Sequence, residues 1–162
     1  MSVTSLDKDL DNLTLTLVAD FAAPVERVWQ LWSDPRQLER WWGPPAYPAT
    51  VEEHDLTPGG DVTYFMTGPE GEKFRGWWRV ATVDAPRSLE FTDGFADEDG
   101  VPNAAMPTTA NRVMLTERDG GTRMEMRAVF DTREQMDQLM TMGMEEGLRE
   151  AAGQMDALVT TG

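Results

Sequence analysis

The sequence predicts an α+β fold: a curved antiparallel β-sheet wrapped around a long C-terminal α-helix, with two short helices after the first strand. Three observations carry this. Apolar residues alternate with period two over residues 13–21 and again in short runs over 49–130. Between those stretches, apolar residues recur at helical spacing. From Met136 to Leu158 a helical stripe of apolar side chains faces a charged side. Such a sheet has one face to bury, and the last helix is the element long enough to cover it.

Residues 1–12 mix Asp, Lys, Ser and Thr with isolated leucines and read as a flexible N-terminal leader. A single domain is expected over 13–159, with 160–162 as a C-terminal tail. Leu13, Leu15, Leu17, Ala19 and Phe21 oppose Thr14, Thr16, Val18 and Asp20, the pattern of a half-buried strand. Pro24 suits the first position of a helix, and Val25, Val28, Trp29 and Trp32 follow at helical spacing. Glu26 sits in the first turn, where the helix dipole favours an anion. Asp34, Pro35 and Gln37 supply an N-cap, a first-turn proline and a capping-box partner for a second helix. That helix ends in Trp41 and Trp42 and is stopped by Gly43, Pro44 and Pro45.

The turn signals Pro58-Gly59-Gly60, Glu70-Gly71, Ala85-Pro86 and Asp119-Gly120-Gly121 then separate strands expected at 62–67, 73–83, 88–92, 112–117 and 122–130, with a weaker one at 50–54. The interval 94–109 holds too many chain breakers for a strand and is a candidate binding loop or lid. Asp131 with Glu134 has the form of a capping box for the last helix, in which Met136, Met140, Met144, Leu148, Ala151, Met155 and Leu158 share a face. Gly143 and Gly147 interrupt it, each costing roughly 1 kcal/mol relative to alanine in a helix interior.

Composition removes several classes of function. The 162 residues include 14 basic and 29 acidic side chains, for a formal charge of −15. Such a surface repels phosphate backbones, and no basic stripe interleaved with aromatics is present, so no nucleic-acid partner is expected. No apolar run reaches the roughly 18 to 20 residues of a membrane span, and the first residues lack a basic start followed by an apolar run. No membrane insertion and a cytoplasmic location are therefore expected. With no cysteine and one histidine, His54, thiol chemistry is excluded and metal sites are starved of ligands. Glu52 with His54, or Glu53 with Asp55, share a strand face, but two ligands fall short of a zinc site. Asp97, Asp99 and Gly100 resemble the start of a calcium loop without its closing glutamate and read as a turn. No metal, cofactor or catalytic residue is assigned. Glu90 and Asp93, beside Phe91, are the carboxylates nearest the expected interior, and neither stands out from a solvated strand edge.

Strand alternation points Phe74, Gly76, Trp78 and Val80 inward together, and likewise Val62, Tyr64 and Met66, Leu89 and Phe91, and Met124, Met126, Ala128 and Phe130. The inner wall is aromatic and methionine-rich, a composition that frames a deformable apolar pocket or simply fills a core. The candidate ligand-binding residues are Trp41, Trp42, Tyr64, Met66, Trp78, Phe91, Met126, Gly143, Met144 and Gly147. For the two glycines the alternative is close approach of helix to sheet. For Trp41 and Trp42 it is a pair of rings capping a helix end.

The order of elements resembles the helix-grip fold of the START and birch-pollen-allergen-like superfamily. Within it, the chain is most similar to proteins related to the C-terminal domain of the activator of Hsp90 ATPase. The phrases that match are Pro24-Val25-Glu26-Arg27-Val28-Trp29, Trp41-Trp42-Gly43-Pro44, Pro58-Gly59-Gly60, Gly76-Trp77-Trp78, Phe91-Thr92-Asp93-Gly94-Phe95 and Met142-Gly143-Met144-Glu145-Glu146-Gly147. The resemblance implies a cavity between sheet and C-terminal helix, but no particular reaction, because that superfamily holds carriers, cyclases, sensors and chaperone partners. The first expectation is a non-catalytic carrier or sensor of a small hydrophobic molecule, lipid or polyketide-like. The alternatives are a module that binds a chaperone or other protein, and an enzyme resembling polyketide cyclases. The oligomeric state is left open.

Overall fold

The computed structural model describes residues 3–161. In chain order it contains strands β1 (Val3–Asp9) and β2 (Thr14–Phe21), helices α1 (Val25–Ser33) and α2 (Pro35–Leu38), and strands β3 (Ala49–His54), β4 (Asp61–Thr67), β5 (Lys73–Asp84), β6 (Ser88–Phe95), β7 (Thr109–Arg118) and β8 (Gly121–Val129). Helices α3 (Arg133–Thr141), α4 (Met144–Gly153) and α5 (Met155–Thr161) close the chain. The eight strands form one curved, open antiparallel sheet in the order β1-β2-β8-β7-β6-β5-β4-β3. This is the expected helix-grip α+β architecture. None of the helices among the described residues is long and apolar enough to cross a membrane.

Alternation sets the register. In β2, Leu15, Leu17, Ala19 and Phe21 are buried while their neighbours are half-exposed, and Leu17 and Ala19 lie opposite Met126 and Met124 of β8. A slip by one residue would send every one of these side chains into water, so the apolar pattern holds the pairing. The inward row of β5 begins one residue pair later than the alternation suggests: Trp78 and Val80 are buried, whereas Phe74, at the strand end, is 52% exposed and rests on Tyr47.

Five expectations are corrected. The leader is not loose: Val3–Asp9 is the edge strand β1, paired with β2 and half-covering Val3 and Leu6 against the core; Met1 and Ser2 lie outside the described residues. The α2 helix has one turn, capped as expected by the Asp34 carboxylate accepting from the Arg36 N–H at 2.9 Å. Trp41 and Trp42 follow it in turns bonded back to the Leu38 carbonyl. The N-cap of α3 is Thr132, whose hydroxyl accepts from the Gln135 N–H at 3.1 Å, and not Asp131. Last, the long closing helix is three helices. Gly143, with φ at +90°, breaks it between α3 and α4, and Gln154 separates α4 from α5. The expected tail is also shorter, since α5 continues through Thr161; Gly162 lies outside the described residues.

The core on the concave face forms two clusters. The larger gathers α1, the Trp41–Trp42 turn, the middle of the sheet and Ala152, Met155 and Val159 of the closing helices. The smaller holds Leu15, Ala128 and Phe130 against Met136 and Leu139 of α3. Polar ties lock the helices onto the first cluster: the Gln154 amide donates to the Gly43 carbonyl at 2.7 Å, and the Arg27 guanidinium donates to the Leu158 carbonyl at 2.6 Å.

The same substitution at two glycines has opposite expected effects. Gly143 adopts a left-handed conformation with open space where a Cβ would stand, so Gly143→Ala costs about 1 kcal/mol through backbone strain alone. Gly153, in α4 without positive φ and also facing open space, gains roughly 0.4 to 1 kcal/mol on Gly153→Ala by reducing unfolded-chain entropy. Urea unfolding of the two variants checks both signs.

Candidate functional site

Between the two core clusters the concave face is hollow. The cavity measures about 280 Å³ and opens to solvent on one side. Its floor is the sheet: Tyr64 and Met66 from β4, Asp93, Gly94 and Phe95 from β6, Thr109 and Asn111 from β7, and Met126 and Ala128 from β8. Trp42 and Pro44 bound one end, and residues of α3 and α4, including Met144, Gly147 and Leu148, form the roof. The Gly143 break stands in that roof beside Met142, which is 54% exposed at the rim. Two of the phrases that carry the resemblance meet there, because a Cβ on Gly147 would lie 3.7 Å from Pro44 Cγ.

Seven of the ten predicted residues line this space: Trp42, Tyr64, Met66, Met126, Gly143, Met144 and Gly147. Three do not. Trp78 and Phe91 stack on each other at 4.0 Å between centroids with 21° between planes, and Trp41 packs edge-on against Trp32 at 4.7 Å. All three are buried behind the cavity wall, with the Trp41 indole N–H donating to the Leu31 carbonyl at 2.8 Å. They are core. Trp42 bridges core and cavity: its ring meets Trp78 at 4.8 Å and Tyr64 at 6.0 Å, both edge-on. The glycines do not serve close helix–sheet approach, since neither a Gly143 nor a Gly147 Cβ would touch the sheet.

Asp93 was underrated by its sequence context. It follows Phe91 by two residues, so it belongs to the inward row of β6, and among the described residues it is the sole carboxylate on the cavity wall. It is half-buried and borders the hollow. Burial pushes its carboxyl up to about 7, while a contact from the Asn111 amide pulls the other way. The Tyr64 phenol is also pushed up, first by burial and then by the Asp93 charge. Thr109 and Asn111 were missed for the same reason as Asp93: they share the inward row of β7 with Val113 and Leu115, where polar residues signal a wall rather than a core. Glu90 faces the other side and accepts from the Thr82 hydroxyl at 2.9 Å.

The remaining candidates fall outside the cavity. The His54 ring nitrogen is 3.0 Å from the Trp32 carbonyl, a structural hydrogen bond, and Glu52 pairs with Arg75 at 2.7 Å. Asp97 forms the expected turn, its carboxylate accepting from the Asp99 and Val101 N–H groups. The loop that follows does not close over the cavity: Gly100 and Pro102 lie beside Trp77 and Arg79 on the convex face.

The family model described as activator of Hsp90 ATPase homolog 1-like protein matches residues 22–160. The chain belongs to that family. Its fold recurs in a crystal structure of a Mycobacterium smegmatis protein, 54% identical with a TM-score of 0.89 over 96% of each chain. A solution structure of an Arthrobacter aurescens protein is 51% identical, with a TM-score of 0.95 over 99% of this chain and 94% of that one. The AHSA1 protein from Silicibacter pomeroyi is 25% identical, with a TM-score of 0.72 over 91% of this chain and 98% of that one. No curated protein matches. Membership in the family fixes the helix-grip architecture without naming a ligand or a reaction.

The raised Asp93 carboxyl has a measurable consequence. A proton held more tightly in the folded than in the unfolded chain means that stability falls as pH rises from the ordinary carboxylate range to about 7, and is level above it. Asp93→Asn has no charge to bury, so it raises Tm over the parent most at about pH 8 and progressively less towards about pH 4. Paired thermal melts across that range test this; a difference independent of pH would show that Asp93 is not titrating in a buried site.

Proposed function

We propose that the protein binds a small hydrophobic molecule in the hollow between the sheet and the α3–α4 roof, as a carrier or sensor rather than as an enzyme. The observation that supports this reading is the cavity itself, about 280 Å³ with walls that are mainly apolar and four flexible methionines, Met66, Met126, Met142 and Met144, among its lining. Its volume is nearly double the ~150 Å³ that accepts benzene in an apolar engineered cavity. A guest of one or two fused rings, or a short branched chain, matches that size, whereas a long-chain lipid or a four-ring polyketide would protrude through the mouth. Burying about 200 Å² of such a guest yields roughly 5 kcal/mol before association costs, equivalent to about 0.2 mM, so dissociation constants of about 0.2 mM or weaker are expected for a purely apolar guest.

A chaperone or other protein as partner is the competing reading. It is supported by the family description and by the formal charge of −15, which favours a basic partner and salt-sensitive binding.

Saturable displacement of an environment-sensitive hydrophobic dye by naphthalene-sized guests is the expected behaviour of the parent protein. A leucine at position 147 enters the hollow without a backbone clash, because the Cβ meets only Pro44 at ordinary contact distance. Gly147→Leu therefore weakens uptake by at least about tenfold while Tm stays level or rises with helix propensity. Undiminished uptake by that variant, or no saturable uptake by the parent, overturns the reading.

A further inference from the structure

We propose that the guest carries a protonated amine, seated against the Asp93 carboxylate beside the rings of Trp42, Tyr64 and Phe95, with its apolar body on the methionines. The inference rests on the cavity reading and adds a chemical class to it. Its basis is the division of polarity around the hollow. Among the described residues, no Lys, Arg or His lines the hollow, and Asp93 is the one lining carboxylate. Three aromatic side chains line the same space, and an ammonium is attracted both by ring faces and by a carboxylate.

The other small-molecule classes fit less well. A guest carboxylate meets Asp93 as a like charge with no cation to offset it. A neutral guest offers Asp93 at most a neutral hydrogen bond beside the Asn111 amide, weaker than a charge-assisted one. The formal charge of −15 adds a field that concentrates cations, and not anions, around the protein.

The groups that face Asp93 do not compete for this role. From β4 comes Tyr64, a phenol that burial keeps neutral, and from β7 come Thr109 and Asn111, which do not titrate. The roof contributes apolar residues such as Leu139, Met144 and Leu148, while Glu145 of α4 turns outward to Lys8 at 3.5 Å. With Asp93 raised to about 7 by burial, an ammonium and a proton exclude each other at the same carboxylate. Amine affinity thus increases as pH climbs to about 7 and levels off until the amine itself loses its proton.

The test is calorimetric titration of the full chain with three guests of one shape: naphthylmethylamine, naphthalenemethanol and naphthoic acid. At about pH 8 the amine binds roughly tenfold or more tightly than the alcohol, the return expected of one charge-assisted contact, and the acid binds weakest. Towards about pH 5 the preference of the parent protein for amine over alcohol vanishes while alcohol affinity is unchanged. Asp93→Asn abolishes the preference at every pH; the parent pH series makes the same test should that variant not fold. Alcohol binding as tight as amine binding at about pH 8 overturns the amine assignment and leaves the cavity reading standing. Binding by none of the three overturns both.

Discussion

The aromatic stack beneath Trp42 is the interaction on which the rest of the structure depends. Trp78 lies flat on Phe91, Trp42 stands edge-on against Trp78, and Trp32 and Trp41 complete the block. It pins the α1–α2 region to the middle of the sheet, and the Gly43 carbonyl there receives the Gln154 amide that anchors the end of α4. The second cluster, around Phe130 and Met136, anchors α3 at the other side. The roof is thus fastened at both ends and broken at Gly143 between them. The space lies between the two packings, with Leu148 of α4 resting against both.

Most of the sheet was legible because half-buried strands write their burial as alternation. The rows of β2, β4 and β8 face as the pattern says, and the turn signals bound the strands within a few residues. β1 was illegible because it is an edge strand pairing on one side, with three of its seven residues Asp or Lys, a composition shared with solvated leaders. The helix break was hidden for a different reason. The apolar stripe keeps its spacing across Gly143, so periodicity continues while the backbone does not; only the glycine itself marks the left-handed position.

For the site, alternation gave facing but not depth. Trp78, Phe91 and Met126 all point inward, yet the first two are sealed under Trp42 and only the third borders the hollow. Depth along an inward row depends on how the sheet curves and on which loop lands upon it, and neither is local in sequence. Polarity within an inward row was the signal available and unused. Asp93 in the row of Leu89 and Phe91, and Asn111 in the row of Val113 and Leu115, are the positions where a filled core would place apolar side chains.

Beyond the hydrogen bond that Asn111 supplies, a carboxyl in such a row has three ways to lower its energy: hold a proton, recruit a cation from the protein, or receive one from outside. The second is closed by the pleat. The arginines of the sheet sit on the opposite parity and spend their charge on the convex face, Arg79 on Asp61, Arg75 on Glu52 and Arg123 on Asp20. Inside, the positions paired with Asp93 are Trp78 of β5 and Thr109 of β7, neither of them basic. A proton and a guest cation are what remain, and they compete for the same oxygens. Under the amine assignment, acidification and occupancy are opposed at a single carboxylate, while the apolar walls, indifferent to charge, limit only the size of what is held.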